Sequence, residues 1–115
     1  MKKNEINKLD KLFSLNVRSI GMCEWCGKSS GVQLQCAHIH SRTYHNTRWM
    51  RKNAKCLCAA CHRLAHNRPT LFTEWIKKEM GEEEYNQLNL DAMKVKFPKD
   101  TYEDVLKEIQ NDHSL

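Results

Sequence analysis

The sequence predicts a small α+β domain in which two short antiparallel strands and a helix form a core flanked by N- and C-terminal helices. Three observations carry this. Apolar residues recur at helical spacing near both ends of the chain, one short stretch alternates apolar with polar residues and a second can pair with it across a polar loop, and the cysteine pairs Cys23/Cys26 and Cys58/Cys61 bracket the intervening segment. At 115 residues with 40% apolar content, one modest core is expected, and domains of this size often need a staple. The reading divides the chain into an N-terminal helix over 1–20, a core over 21–68, and an acidic helical extension over 69–115 packed on that core.

The elements follow in order. Ile6, Leu9, Leu12, Phe13, Val17 and Ile20 make a helical stripe over residues 4–20. "CEWCGKSSG" reads as a tight knuckle and turn. "VQLQCAHI" (32–39) alternates Val32, Leu34 and Cys36 with polar neighbours and is read as a strand. "HSRTYHNTRWMRKN" (40–53) is polar, basic and without period, hence a loop, and "AKCLC" (54–58) is a second strand pairing antiparallel with the first. A helix over 59–67 is closed by Pro69. Another, over 70–80, takes Thr70 as N-cap and Gly81 as its stop. Residues 82–88 are a short helical turn. The last helix starts at Asp100, with Asp100 and Glu103 as a capping pair and Tyr102, Val105, Leu106 and Ile109 as its apolar face.

Charge narrows the function. The net charge is +5, but residues 1–68 hold 13 Lys/Arg against 3 Asp/Glu, and residues 69–115 hold 6 against 11. No carboxylate lies between Glu24 and Glu74, a span with eight Lys/Arg and five His. Such a surface fits a polyanion, DNA above all, with the acidic third facing away from it. Arg42, Arg48, Arg51, Lys52, Lys55, Arg63 and Arg68 are the candidate phosphate contacts, and Tyr44 and Trp49 could stack on bases, or Trp49 could anchor the loop. No run of about 18 apolar residues exists, which excludes a membrane span. The N-terminus lacks the apolar stretch of a signal peptide, so a reducing cytoplasm, bacterial or phage-infected, is expected.

In that compartment cysteines read as metal ligands or buried thiols. Cys23, Cys26, Cys58 and Cys61 are the donor set of a tetrahedral structural Zn²⁺. Cys36 and Cys56 fall on the apolar strand face and read as core, although Cys56 could compete for the metal. On a helix the side chains of Cys61 and His62 diverge by about 100°, so a zinc at Cys61 leaves His62 pointing elsewhere. His62 and His66 share one face at i, i+4 and can grip a second divalent ion. Imidazole donors favour Mn²⁺, Ni²⁺ or Zn²⁺ over Mg²⁺. His38 ends the first strand facing that helix and can serve as a general base. Asn53 can fix the loop by bonding its backbone.

These residues resemble the HNH nuclease family, whose ββα-metal fold is a two-stranded ribbon, a long loop and a helix. The likeness rests on the knuckle at Cys23/Cys26, the strand ending in His38, Asn53, and "LCAACH" at 57–62 completed by His66. "CAHIHSR" with "FTEW" is also similar to phage-borne HNH proteins related to the recombination protein NinG. The resemblance implies that His38 is the base, Asn53 the loop-orienting residue, and His62 and His66 the catalytic-metal ligands. It further implies DNA phosphodiester hydrolysis to 5′-phosphate and 3′-hydroxyl ends, with weak sequence or structure selectivity. One departure stands out: where many members carry Asp or His before the base, this chain has Ala37. Either two histidines with phosphate and water suffice, or His40 or His45 supplies the missing ligand. The rival expectation is a catalytically inactive zinc-stapled DNA-binding protein of a phage recombination or packaging system. In either case the acidic C-terminal helices could dock a protein partner, and the oligomeric state, monomer or homodimer, is open.

Overall fold

The computed structural model describes residues 1–94 and 101–111. Among these it forms five α-helices, a two-stranded antiparallel sheet and two short 3-10 turns.

Helix α1 runs Lys3–Arg18, and Glu5 reaches back to accept the Lys2 backbone N–H at 2.9 Å, satisfying one donor of its first turn. Its stripe buries Leu9, Phe13 and Val17. Strand β1 (Leu34–His38) pairs with β2 (Ala54–Cys58) in the register Cys36↔Cys56, with His38 opposite Ala54. The loop between the strands contains the 3-10 turns His45–Thr47 and Arg51–Asn53. Strand β2 passes without a loop into α2 (Ala59–Asn67), because Cys58 is at once the last strand residue and the helix N-cap. Its sulfur accepts the Cys61 N–H at 3.5 Å.

Helix α3 spans Pro69–Met80 and α4 spans Glu82–Met93, separated by Gly81 at φ +86°, a conformation that favours glycine. Besides shifts of one or two residues at the ends of α1 and β1, three boundaries differ from expectation. Thr70 is not the N-cap of α3, since Pro69 occupies N1, where its missing N–H costs nothing and its φ is already helical. The turn foreseen at 82–88 is a three-turn helix, as its acidic first turn suits the positive end of the dipole. Helix α5 covers Tyr102–Asn111; the expected Asp100 cap lies outside the described residues, and the reciprocal pair observed is Thr101 with Asp104, both bonds 3.3 Å.

Period-two alternation sends the two sheet faces to different partners. Cys56 and Ala54 join Leu9, Phe13, Val17, Trp49 and, from α5, Val105 and Ile109 in one apolar cluster. Ala37 and Leu57 join Cys23, Cys58, Ala65, Phe72 and Ile76 in the other. A buried bond from Asn16 Nδ2 to the Ile109 carbonyl, 3.2 Å, ties α5 to α1.

The acidic C-terminal part is in contact with the basic loop. Helix α4 lies against that loop: His40 Nε2 meets Asn89 Oδ1 at 2.7 Å, Lys52 pairs with Asp91 at 3.8 Å, and Asn46 Nδ2 donates to the Lys94 carbonyl. Opposite charges on the two segments draw them together. No helix among the described residues is long and apolar enough to cross a membrane.

Candidate metal centre and histidine cavity

The four cysteines converge. The first knuckle is a turn closed by its own backbone: the Gly27 N–H donates to the Cys23 carbonyl at 2.8 Å, with Gly27 at φ +82°, and the Cys26 N–H points at Cys23 Sγ. The first knuckle is stitched to β2 by Glu24. Its N–H donates to the Cys56 carbonyl at 2.8 Å and its Oε2 accepts the Cys56 N–H at 2.7 Å. The sulfurs of Cys23, Cys26, Cys58 and Cys61 all lie within 4.8 Å of one another. A tetrahedral zinc with bonds of about 2.3 Å separates its sulfurs by roughly 3.8 Å, and Cys26 Sγ and Cys58 Sγ are 3.8 Å apart. The donor set and its size therefore fit a structural zinc.

The thiols are electrostatically graded. Burial raises Cys23, but N–H donors from Cys26, Cys58 and Trp25 outweigh it and hold the thiol down at about 6. Burial, then hydrogen bonds with Cys58, Cys23 and Cys26, push Cys61 up. Metal capture must displace such protons. Cys36 and Cys56 lie outside the cluster, as the strand alternation led one to expect. Burial pushes Cys36 up to about 11, and burial with the nearby Glu24 carboxylate raises Cys56, so both stay protonated in the core.

His38, His62 and His66 line one cavity of about 610 Å³ between α1, β1, α2 and the start of α3. His62 and His66 stand side by side with ring centroids 4.9 Å apart. His62 Nδ1 lies 2.7 Å from Gln35 Oε1. An amide oxygen only accepts, so Nδ1 carries the hydrogen and Nε2 keeps the lone pair a metal needs. Burial and the neighbouring His66 lower His62, favouring its neutral form. His38 Nε2 lies 3.1 Å from the Arg48 carbonyl, so by the same logic Nδ1 is its basic nitrogen. Burial, chiefly, lowers His38 below the ordinary imidazole value; the Arg48 carbonyl works against this and the Arg42 charge with it. The ring packs on Phe13 of α1, centroids 5.6 Å apart.

Asn53 is fully buried and bridges the base of the loop. Its Oδ1 accepts the His40 N–H at 2.9 Å and its Nδ2 donates to the His40 carbonyl at 3.0 Å. It thereby satisfies a main chain that has no strand partner there.

Other expected residues sit elsewhere. His40 is turned to Asn89 and His45 edges onto Trp49 at 5.1 Å, so neither lines the cavity. Trp49 is buried and anchors the loop. Arg48 is bound to Asp10, Arg51 donates to the Ala54 carbonyl, and Lys55 pairs with Glu24 beneath the Trp75 ring. All three thus have internal partners, because each lies where a carboxylate, carbonyl or ring is within reach. Lys52 and Arg42 are exposed but pair with Asp91 and Asp10, and Arg63 and Arg68 are exposed.

Two residues escaped the sequence reading. Gln35 carried one sign: it shares the strand face of Ala37, which the helix buries. Asp10 carried none. It lies 38 positions before Arg48, yet α1 delivers its carboxylate to the cavity wall, so the cavity is not the carboxylate-free site the sequence implied. A comparison with known protein families, curated proteins and solved structures finds no match.

Proposed function

We propose that the protein is a metal-dependent DNA endonuclease of the HNH type, whose ββα-metal core is β1, the loop 39–53, β2 and α2. One observation carries the reading: a half-buried histidine at a strand end, with a fixed tautomer, shares a cavity with two histidines one turn apart on a helix. His38, kept neutral at pH 7 by burial, takes a proton from water through Nδ1 for in-line attack on phosphorus. His62 and His66 would hold the divalent metal, which when bound stabilises charge on the phosphate and the departing 3′-oxygen. Gln35 keeps His62 in the tautomer that can bind it. Arg42, on the cavity wall, and the exposed Arg63 and Arg68 supply positive charge suited to backbone phosphates and blind to sequence. The four cysteines, as a zinc centre, fix the angle at which α2 leaves β2.

A second reading has its own support. Among the described residues the one cluster of three or more metal-ligating groups is the cysteine set, so none of them, Ala37 included, gives His62 and His66 a third ligand. This favours a zinc-stapled DNA-binding protein without catalysis. Plasmid nicking separates the two. Wild type and His38→Ala are assayed after EDTA treatment with Mg²⁺, Mn²⁺, Ni²⁺ or Zn²⁺ restored. The enzyme reading expects metal-dependent cleavage that falls about 10²- to 10⁴-fold in His38→Ala with DNA binding near wild type. Salt-sensitive binding with no cleavage under any metal would leave the second reading standing.

A further inference from the structure

We infer that Asp10, on the N-terminal helix, is a positioning residue that acts on His38 through the loop. The inference rests on the reading of His38 as a base and adds a residue outside the segment that carries the nuclease resemblance. Asp10 Oδ1 accepts from Arg48 Nε at 3.0 Å and from Trp49 Nε1 at 2.9 Å, while Oδ2 accepts from an Arg48 terminal nitrogen at 2.5 Å. Arg42 lies 3.5 Å from Oδ2. The carboxylate thus grips the side chains of two consecutive loop residues. The carbonyl that accepts the His38 hydrogen belongs to the peptide joining those two residues. Asp10 therefore clamps that peptide from both sides.

The clamp matters because, although the Trp49 ring is packed in the core, the loop backbone is lightly held at this point. Its backbone bonds near Arg48 are 3-10 contacts of 3.1–3.3 Å within the same short stretch. Helix α1, by contrast, is anchored in the core by Leu9 and Phe13, which flank Asp10 one residue before and three residues after. A rigid element thus sets the position of a carbonyl on a loop, and the carbonyl sets which nitrogen of His38 holds the proton. With its oxygens taken by three N–H donors and flanked by Arg42, Asp10 works through the loop and not as a metal ligand.

The test compares Asp10→Asn and Asp10→Ala with wild type in the zinc-loaded protein. Asp10→Asn keeps the shape but turns an acceptor into a donor facing Arg48, so it reads the clamp even where Asp10→Ala does not fold. The first readout is the ¹⁵N spectrum of the His38 ring, assigned by its loss in His38→Ala, which reports the tautomer. The second is nicking at saturating metal and DNA. The expected result is a loss of the single His38 tautomer and a fall in kcat of about 10- to 100-fold. DNA KM, metal requirement and zinc content should stay near wild type, and Asp10→Asn/His38→Ala should cut no more slowly than His38→Ala. An unchanged His38 ring spectrum, or additive losses in the double variant, overturns the inference. If the wild type does not cut at all, the enzyme reading fails, and the ring spectrum alone decides whether Asp10 holds His38.

Discussion

Cys61 and His62 are adjacent on α2, yet they serve two regions built in different ways. Each half of the cysteine centre is built locally: the members of each pair are three positions apart, and Cys58 is fixed as the cap of the helix that carries Cys61. The histidine cavity is assembled by distant partners. Gln35 holds His62, Arg48 holds His38, and α1 closes the wall with Asp10. The difference is one of what fixes a side chain. A short covalent span fixes the cysteines within each pair, and the Glu24–Cys56 bonds bring the two pairs together, whereas the imidazoles are in place only once the sheet, loop and helices have packed.

Removing a partner should therefore have different consequences in the two regions. The largest effect is expected from Cys58→Ser, which takes away a zinc ligand and replaces the N-cap of α2. Structural zinc contributes about 10–16 kcal/mol in small zinc peptides, so this variant should lose both zinc and the folded far-UV spectrum. Full zinc content with a native spectrum would mean that the four thiolates do not act as one centre.

A cavity partner should cost function and leave the fold standing. Gln35→Ala frees the His62 tautomer, and the metal concentration for half-maximal nicking should rise about 10- to 100-fold, with zinc content and melting temperature near wild type. An unchanged metal titration would show that His62 needs no such orientation, or that it binds no metal.

The smallest effect is on acid stability. Burial lowers both His38 and His62 below the ordinary value of 6.5. The unfolded chain then takes up these protons before the folded one does. Stability is full above about pH 6.5 and declines as the pH falls through that value toward the lower folded values. Melting temperature should drop between pH 7.5 and 5.5, and a His38→Gln/His62→Gln variant should show a smaller drop. An equal drop in both proteins would assign the acid sensitivity to the thiolates instead.

Much of this contrast could be read from the residues. The apolar stripe of α1, the alternation of β1 and the bounds of α2 matched what the chain adopts, since each is set by a period or a cap within a few residues. Where expectation and structure part, the cause is competition. Pro69 took the first position of α3 from Thr70, and helix α4 drew His40 and Lys52 toward itself.

The sequence by itself determined the cysteine spacing, the charge split, the strand–helix order around Cys58 and the pairing of His62 with His66 on one helix face. Only the tertiary structure decided which nitrogen of His38 and of His62 is free, which arginines and lysines are bound internally, and that Asp10 stands at the cavity. The reason is physical. Turns and helix faces are fixed over two to four residues, but the tautomer of an imidazole or the freedom of a guanidinium depends on whichever acceptor lies about 3 Å away, and packing alone chooses that acceptor.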